Sequence, residues 1–96
     1  MKIMIKWQMH PGKLHPILAQ FTKMTPEQER ALGDNKVKLI GRWHDLVRGS
    51  GVAIYETDNP EALSKYALGW NEHMDLESSI VLDDEETRAI GKSRAS

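Results

Sequence analysis

The chain opens on an alternation. Ile3, Ile5, Trp7 and Met9 fall on one side of an extended segment, and Lys2, Met4, Lys6 and Gln8 on the other. Period two in β-branched and aromatic residues predicts a strand. His10-Pro11-Gly12 ends it, because proline cannot donate to a ladder and glycine permits the turn. The period then lengthens: Leu14, Ile17, Leu18, Phe21 and Met24 share one helical face, which puts Pro16 in the first turn. Thr25-Pro26-Glu27-Gln28 reads as a fresh helix start, a threonine cap with glutamine three residues on, and this short helix should stop at Gly33.

A second strand is expected over 36–44. Strict alternation places Val37, Leu39, Gly41 and Trp43 on one face and Lys38, Ile40, Arg42 and His44 on the other. The loop from Asp45 to Gly51 makes a hairpin to a third strand over 52–57, with Val52, Ile54 and Glu56 opposite Ala53, Tyr55 and Thr57. Asp58-Asn59-Pro60-Glu61 starts the next helix: an asparagine cap, proline at the first position and an acid at the positive end of the dipole. Leu63, Tyr66, Ala67 and Trp70 form its apolar stripe. A fourth strand over 74–82 would turn Leu76, Ile80 and Leu82 inward. Asp83-Asp84-Glu85-Glu86 opens a terminal helix through Ile90, with the tail from Gly91 fraying.

The order is thus β-α-β-β-α-β. Right-handed crossovers put both main helices on one face of a four-stranded antiparallel sheet, an α+β ferredoxin-like fold in one domain over 1–96. The other face stays uncovered. It should carry Met4, Ile40, Val81 and Tyr55 or its neighbours among Lys6, Gln8, Arg42 and His44. A face this apolar calls for a second copy, so a homodimer through the exposed sheet is expected.

Composition narrows the classes. The 96 residues carry 40% hydrophobic and 28% charged positions, which argues against disorder. A formal net charge of -1 gives no attraction for nucleic acid or an anionic membrane. Without cysteine there is no thiolate nucleophile and no Cys-based metal site. No apolar run approaches the roughly 20 residues that span a bilayer, and the lysine-interrupted N-terminus does not make a signal peptide. A soluble, cytoplasmic protein is the expectation.

Several of these pieces recur together in one known family. Trp7 followed by Pro11-Gly12, Gly41-Arg42-Trp43-His44 closing the second strand, the Asp58-Asn59-Pro60-Glu61-Ala62-Leu63 helix start, Trp70 and Asp83-Asp84-Glu85-Glu86 resemble domain-of-unknown-function family 3303 over nearly the whole chain. The resemblance implies a ferredoxin-like domain related to dimeric α/β barrels. It supplies no catalytic residues.

Candidate chemistry centres on Trp43 and His44. Strict alternation puts Trp43 under the helices as a buried anchor, while His44 faces the open side with Arg42. An aromatic wall and an imidazole could bind a small apolar ring and move a proton; the plainer use is a tryptophan core and a histidine at the dimer seam, and the plainer use is preferred. Tyr66, Trp70 and His73 follow one stripe, which is the usual signature of packing. Glu56 is expected to pair with Arg42 across the hairpin, with a pocket base as the alternative. His10, His15, His44 and His73 match no zinc spacing, so neither a metal nor any cofactor is expected. Gly49-Ser50-Gly51 joins two strands and is no phosphate loop. The preferred function is a non-catalytic homodimer with a binding or structural role. The alternative is a cofactor-free enzyme of monooxygenase or isomerase type acting on a small, apolar cyclic substrate near Trp43 and His44.

Overall fold

The structure, a computed structural model, describes residues 1–95. Its elements are β1 (Lys2–Met9), α1 (Leu14–Lys23), α2 (Pro26–Leu32), β2 (Lys38–Asp45), β3 (Ser50–Glu56), α3 (Pro60–Leu68), β4 (Met74–Val81) and α4 (Asp84–Ala95). The strands form one sheet in the order β2-β3-β1-β4, every neighbour antiparallel. The core lies where that sheet meets the helices. Ile3 and Ile5 of β1 and Ala53 and Tyr55 of β3 pack against Ile17 of α1 and Ala62 and Tyr66 of α3.

Local chemistry fixes the helix starts. Thr25 Oγ1 accepts from the Gln28 N–H at 3.1 Å while Gln28 Oε1 accepts from the Thr25 N–H at 2.9 Å, the reciprocal box expected from the sequence. Asn59 caps α3 by accepting from the Ala62 N–H at 2.9 Å. β2 begins at Lys38, two residues later than expected. The chain is still turning before it: Asp34 and Asn35 take positive φ, and the Lys36 N–H returns to the Gly33 carbonyl at 2.9 Å. α3 ends at Leu68, so Trp70 and His73 sit in the turn that follows and not on the helix.

The largest departure from strict alternation is in β2. Leu39 pairs with Tyr55 and Gly41 with Ile54, so Ile40 is an extra residue, a β-bulge. One extra residue inverts the facing of everything after it. Arg42 pairs with Ala53 and His44 with Gly51 on the helix side, and Trp43 pairs with Val52 on the open side. Trp43 is accordingly 62% exposed and no core anchor. The expectation that Arg42 and His44 would line the open face is likewise reversed. Tyr55 also leaves that face, being buried opposite Ile3, and its neighbours Val52 and Ile54 take its place.

Two further corrections concern the C-terminal third. Ile80 and Leu82 are 68% and 47% exposed, because β4 is an edge strand whose end lies outside the helix cover. α4 runs on through Gly91 to Ala95, past the end at Ile90 expected from the sequence; Ser96, the last residue of the expected frayed tail, lies outside the described residues. Its first turn is boxed like that of α2, with Asp83 Oδ1 accepting from the Glu86 N–H at 2.8 Å and Glu86 Oε1 accepting from the Asp83 N–H at 3.0 Å. Among the described residues no helix is long and apolar enough to cross a membrane.

Candidate functional site: an apolar cleft between sheet and helices

Because the bulge turns Arg42 and His44 toward the helices, both reach a cleft of about 60 Å³ between the sheet and α1 and α3. Its walls are apolar: Trp7 and Met9 from β1, Ile17, Leu18 and Phe21 from α1, and Leu76 from β4. Tyr66 and Trp70 close it from the α3 side.

The deep end is polar and internally satisfied. The Arg42 guanidinium grips Glu29 of α2 with both terminal nitrogens; Nη2 donates to Oε2 at 2.9 Å and Nη1 to Oε1. Only 13% of the Arg42 side chain and 16% of the Glu29 side chain meet solvent. The Arg42 Cζ also lies 4.9 Å from the Phe21 ring centroid, a cation–π placement. Tyr66 donates its hydroxyl to Glu29 Oε1 at 2.7 Å. With that proton committed, the 2.7 Å contact between the Tyr55 and Tyr66 hydroxyls must have Tyr55 as donor.

Electrostatics follow from this chain. Burial would raise the Glu29 pKa, but hydrogen bonds from Arg42 and Tyr66 outweigh it and hold the carboxyl below its ordinary value. Burial likewise works against the charged Arg42, and the bond to Glu29 more than restores it, so the guanidinium stays charged. Tyr66 is pushed up by burial first and then by Tyr55 and Glu29, so it remains a neutral donor. Tyr55 is raised mainly by burial.

His44 sits differently. Its ring meets Trp7 edge-on at 5.5 Å between centroids and Phe21 at 5.3 Å. Loss of water from the ring, and then the nearby positive Arg42, hold its pKa below the ordinary 6.5. The imidazole is therefore neutral at pH 7 and makes no hydrogen bond among the described residues. Trp70 contributes one more unused donor: its Nε1–H is buried without a partner.

Of the residues singled out from sequence, the fold gathers Arg42, His44, Tyr66 and Trp70 at this cleft and leaves three outside. Trp43 lies on the open face, its ring folded over Gly41. Glu56 does not reach Arg42; its carboxylate accepts from the Met1 ammonium at 3.0 Å. His73 is half-buried in the turn before β4, where its carbonyl accepts from the His10 N–H at 2.9 Å. Sequence reasoning missed Glu29, Phe21 and Trp7. Glu29 stands among polar neighbours on a short helix, where nothing marks one acid as inward-facing. No group of three His, Asp or Glu side chains placed to hold a metal occurs among the described residues.

Strand order, antiparallel pairing and the helices that connect the strands define an α+β ferredoxin-like fold. The chain belongs to the family described as Domain of unknown function (DUF3303), whose model matches residues 1–95. Among solved structures it is similar to an L-rhamnose mutarotase from Formosa agariphila, at 15% identity and a TM-score of 0.50 over 86% of this chain and 94% of that one. It is also similar to an uncharacterized NIPSNAP domain protein from Burkholderia xenovorans, at 13% identity and a TM-score of 0.49 over 88% of this chain and 97% of that one. At 15% identity the likeness to the mutarotase is one of fold. No curated protein matches.

Proposed function

We propose that this protein is a homodimer, joined through its open sheet faces, that binds a small and mainly apolar ring compound beneath its helices without transforming it. The observation that carries the reading is the cleft: apolar walls, with a neutral His44 that has no hydrogen-bond partner of its own. Its volume of about 60 Å³ is far below the ~300–1,000 Å³ of pockets for drug-sized ligands and below the ~150 Å³ of a cavity that encloses benzene, so the occupant is no larger than a single ring, seated partly in the open mouth of the cleft. The walls hold the ring, and His44 supplies one hydrogen bond.

Phenol is a suitable probe. Titration into the protein should shift the indole N–H signals of Trp7 and Trp70 along a saturating curve, and Leu18→Trp, which fills the cleft from α1, should abolish the saturation. A linear drift, or the same curve in the filled variant, would refute the binding role.

The open face supports the dimer. Met4 and Ile54 pair across it next to Gly41, and Val52 pairs with Trp43 in the adjoining row. With Ile40 at 52% exposure beside them, they make a continuous apolar surface that monomers rarely leave bare. Light scattering should give about twice the 10.9 kDa chain mass. Trp43→Ala should weaken association about 30-fold, near 2 kcal/mol, as a central tryptophan does. The melting of the dilute chain should move little, since the residue supports no core. A wild-type protein that stays monomeric at micromolar concentration would overturn this half of the reading.

The lowered pKa of His44 favours a second reading, a cofactor-free enzyme of isomerase or monooxygenase type, because a general base must be unprotonated at working pH. Cyclohexanone in deuterated water separates the two. Deuterium entering the ring faster with wild type than with His44→Ala would favour the enzyme, and equal rates would leave the binding role standing.

A further inference from the structure

Past its first turn the terminal helix buries no side chain among the described residues. It is rooted on the open side of the sheet, where Lys2 Nζ lies 3.0 Å from Glu86 Oε1 and 3.4 Å from Asp83 Oδ2. Beyond that root no described residue of α4 is buried, and Ile90 is 54% exposed. The molecule is drawn out to 53 × 29 × 18 Å, with a radius of gyration of 15.3 Å where a compact chain of about 100 residues has about 13 Å. A 12-residue helix interrupted by Gly91 has little stability alone in water; helices of this length persist by packing a face against something.

Charge says what that something is. α4 begins acidic and ends basic, and Lys92 and Arg94 make no ion pair among the described residues. The open side of β4 carries the complement, Asp75 and Glu77, both exposed. Among the described residues the Asp75 side chain engages His10 alone, whose Nε2 lies 3.0 Å from its Oδ1.

We infer that α4 clasps the β4 edge of a second copy, its Arg94 against Asp75 and Glu77 of the partner subunit, with Ile90, one turn earlier on the same helix face, as the apolar contact. The inference rests on the sheet-to-sheet dimer proposed above. A two-fold axis lying between the sheets and crossing the strands sets the end of one β4 over the start of its partner's. The helix leaving after Leu82 then meets the end of the partner that begins at Met74. Two clasps close the assembly symmetrically, and opposite charges fix its register.

A charge swap in the full chain tests it, read as dimer dissociation by sedimentation equilibrium. Arg94→Glu should raise the dimer Kd at least fivefold at low salt, Asp75→Lys with Glu77→Lys should do likewise, and Lys92→Glu, on the opposite face of the helix, should change it less than twofold. Arg94→Glu combined with Asp75→Lys and Glu77→Lys should bring it back to within about threefold of wild type. A dimer whose Kd ignores either reversal, or a combined variant no tighter than either reversal alone, would overturn the clasp while leaving the sheet-to-sheet dimer intact. A monomeric wild type would overturn both.

Discussion

Replacing Arg42 with alanine should cost about 3–5 kcal/mol of unfolding free energy, the loss expected when one member of a buried ion pair is removed. Arg42 is the pin between α2 and the sheet. Without it Glu29 keeps only the Tyr66 hydroxyl, Phe21 loses the cation over its ring, and a carboxylate with 16% of its side chain in solvent is left uncompensated. Domains of this size hold only about 5–15 kcal/mol in all, so the variant should be marginal at 37 °C. Urea unfolding at pH 7 measures the loss, and a change below about 1 kcal/mol would mean that Glu29 simply turns out to water.

The same pair predicts a pH dependence of definite sign. A carboxyl whose folded pKa is depressed stabilises the fold above its unfolded pKa, and the contribution disappears as pH falls through the folded value. Glu29 is such a group, so wild type should lose this part of its stability from about the ordinary 4.5 downwards. Glu29→Gln should lack that limb of the pH profile, and an unchanged limb would assign the acid sensitivity to other carboxylates.

Much of the architecture was legible because local chemistry and periodicity agree. Threonine and asparagine caps, proline at the first helical position and period two in β1 each point to the same β-α-β-β-α-β order. The candidate site was only half legible, and one residue explains why. A bulge is a property of two strands together, so alternation read along β2 alone cannot reveal that Ile40 is unpaired. It assigned Val37 and Leu39 correctly and inverted Gly41 through His44. The one sign in the sequence is Gly41 itself, since a glycine inside a strand marks a bulge or a close approach; here the Trp43 ring folds over it. Glu29 was hidden for another reason: its inward role depends on Arg42 facing the helices, which in turn depends on the bulge. The exposure of Ile80 reflects where the helices stop covering the sheet, a matter of tertiary placement that apolar pattern does not encode.

Gly51→Ala should destabilise the fold by about 3 kcal/mol, at the upper end for added volume in a packed site. Leu76, Trp7, Gly51 and His44 form one row across all four strands on the helix side. The Trp7 indole lies over Gly51 to reach the His44 ring, so a methyl group there would meet the indole directly and stand 2.5 Å from the Trp43 carbonyl oxygen. The carbonyl belongs to the ladder and cannot move away, and the indole can yield only by swinging out of the cleft wall. Alanine's smaller backbone entropy loss, roughly 0.5–1 kcal/mol in its favour, offsets a minor part of this. At about 4–8 °C per kcal/mol for a domain of this size, melting should fall by roughly 12–24 °C. The near-ultraviolet dichroism of the tryptophans should weaken with it. His44, freed from one aromatic wall, should titrate closer to its ordinary 6.5. Adding Trp7→Phe to Gly51→Ala removes the part of the ring that collides and should recover part of the lost stability. Melting and dichroism unchanged by Gly51→Ala alone would show that Trp7 does not occupy this position over the sheet.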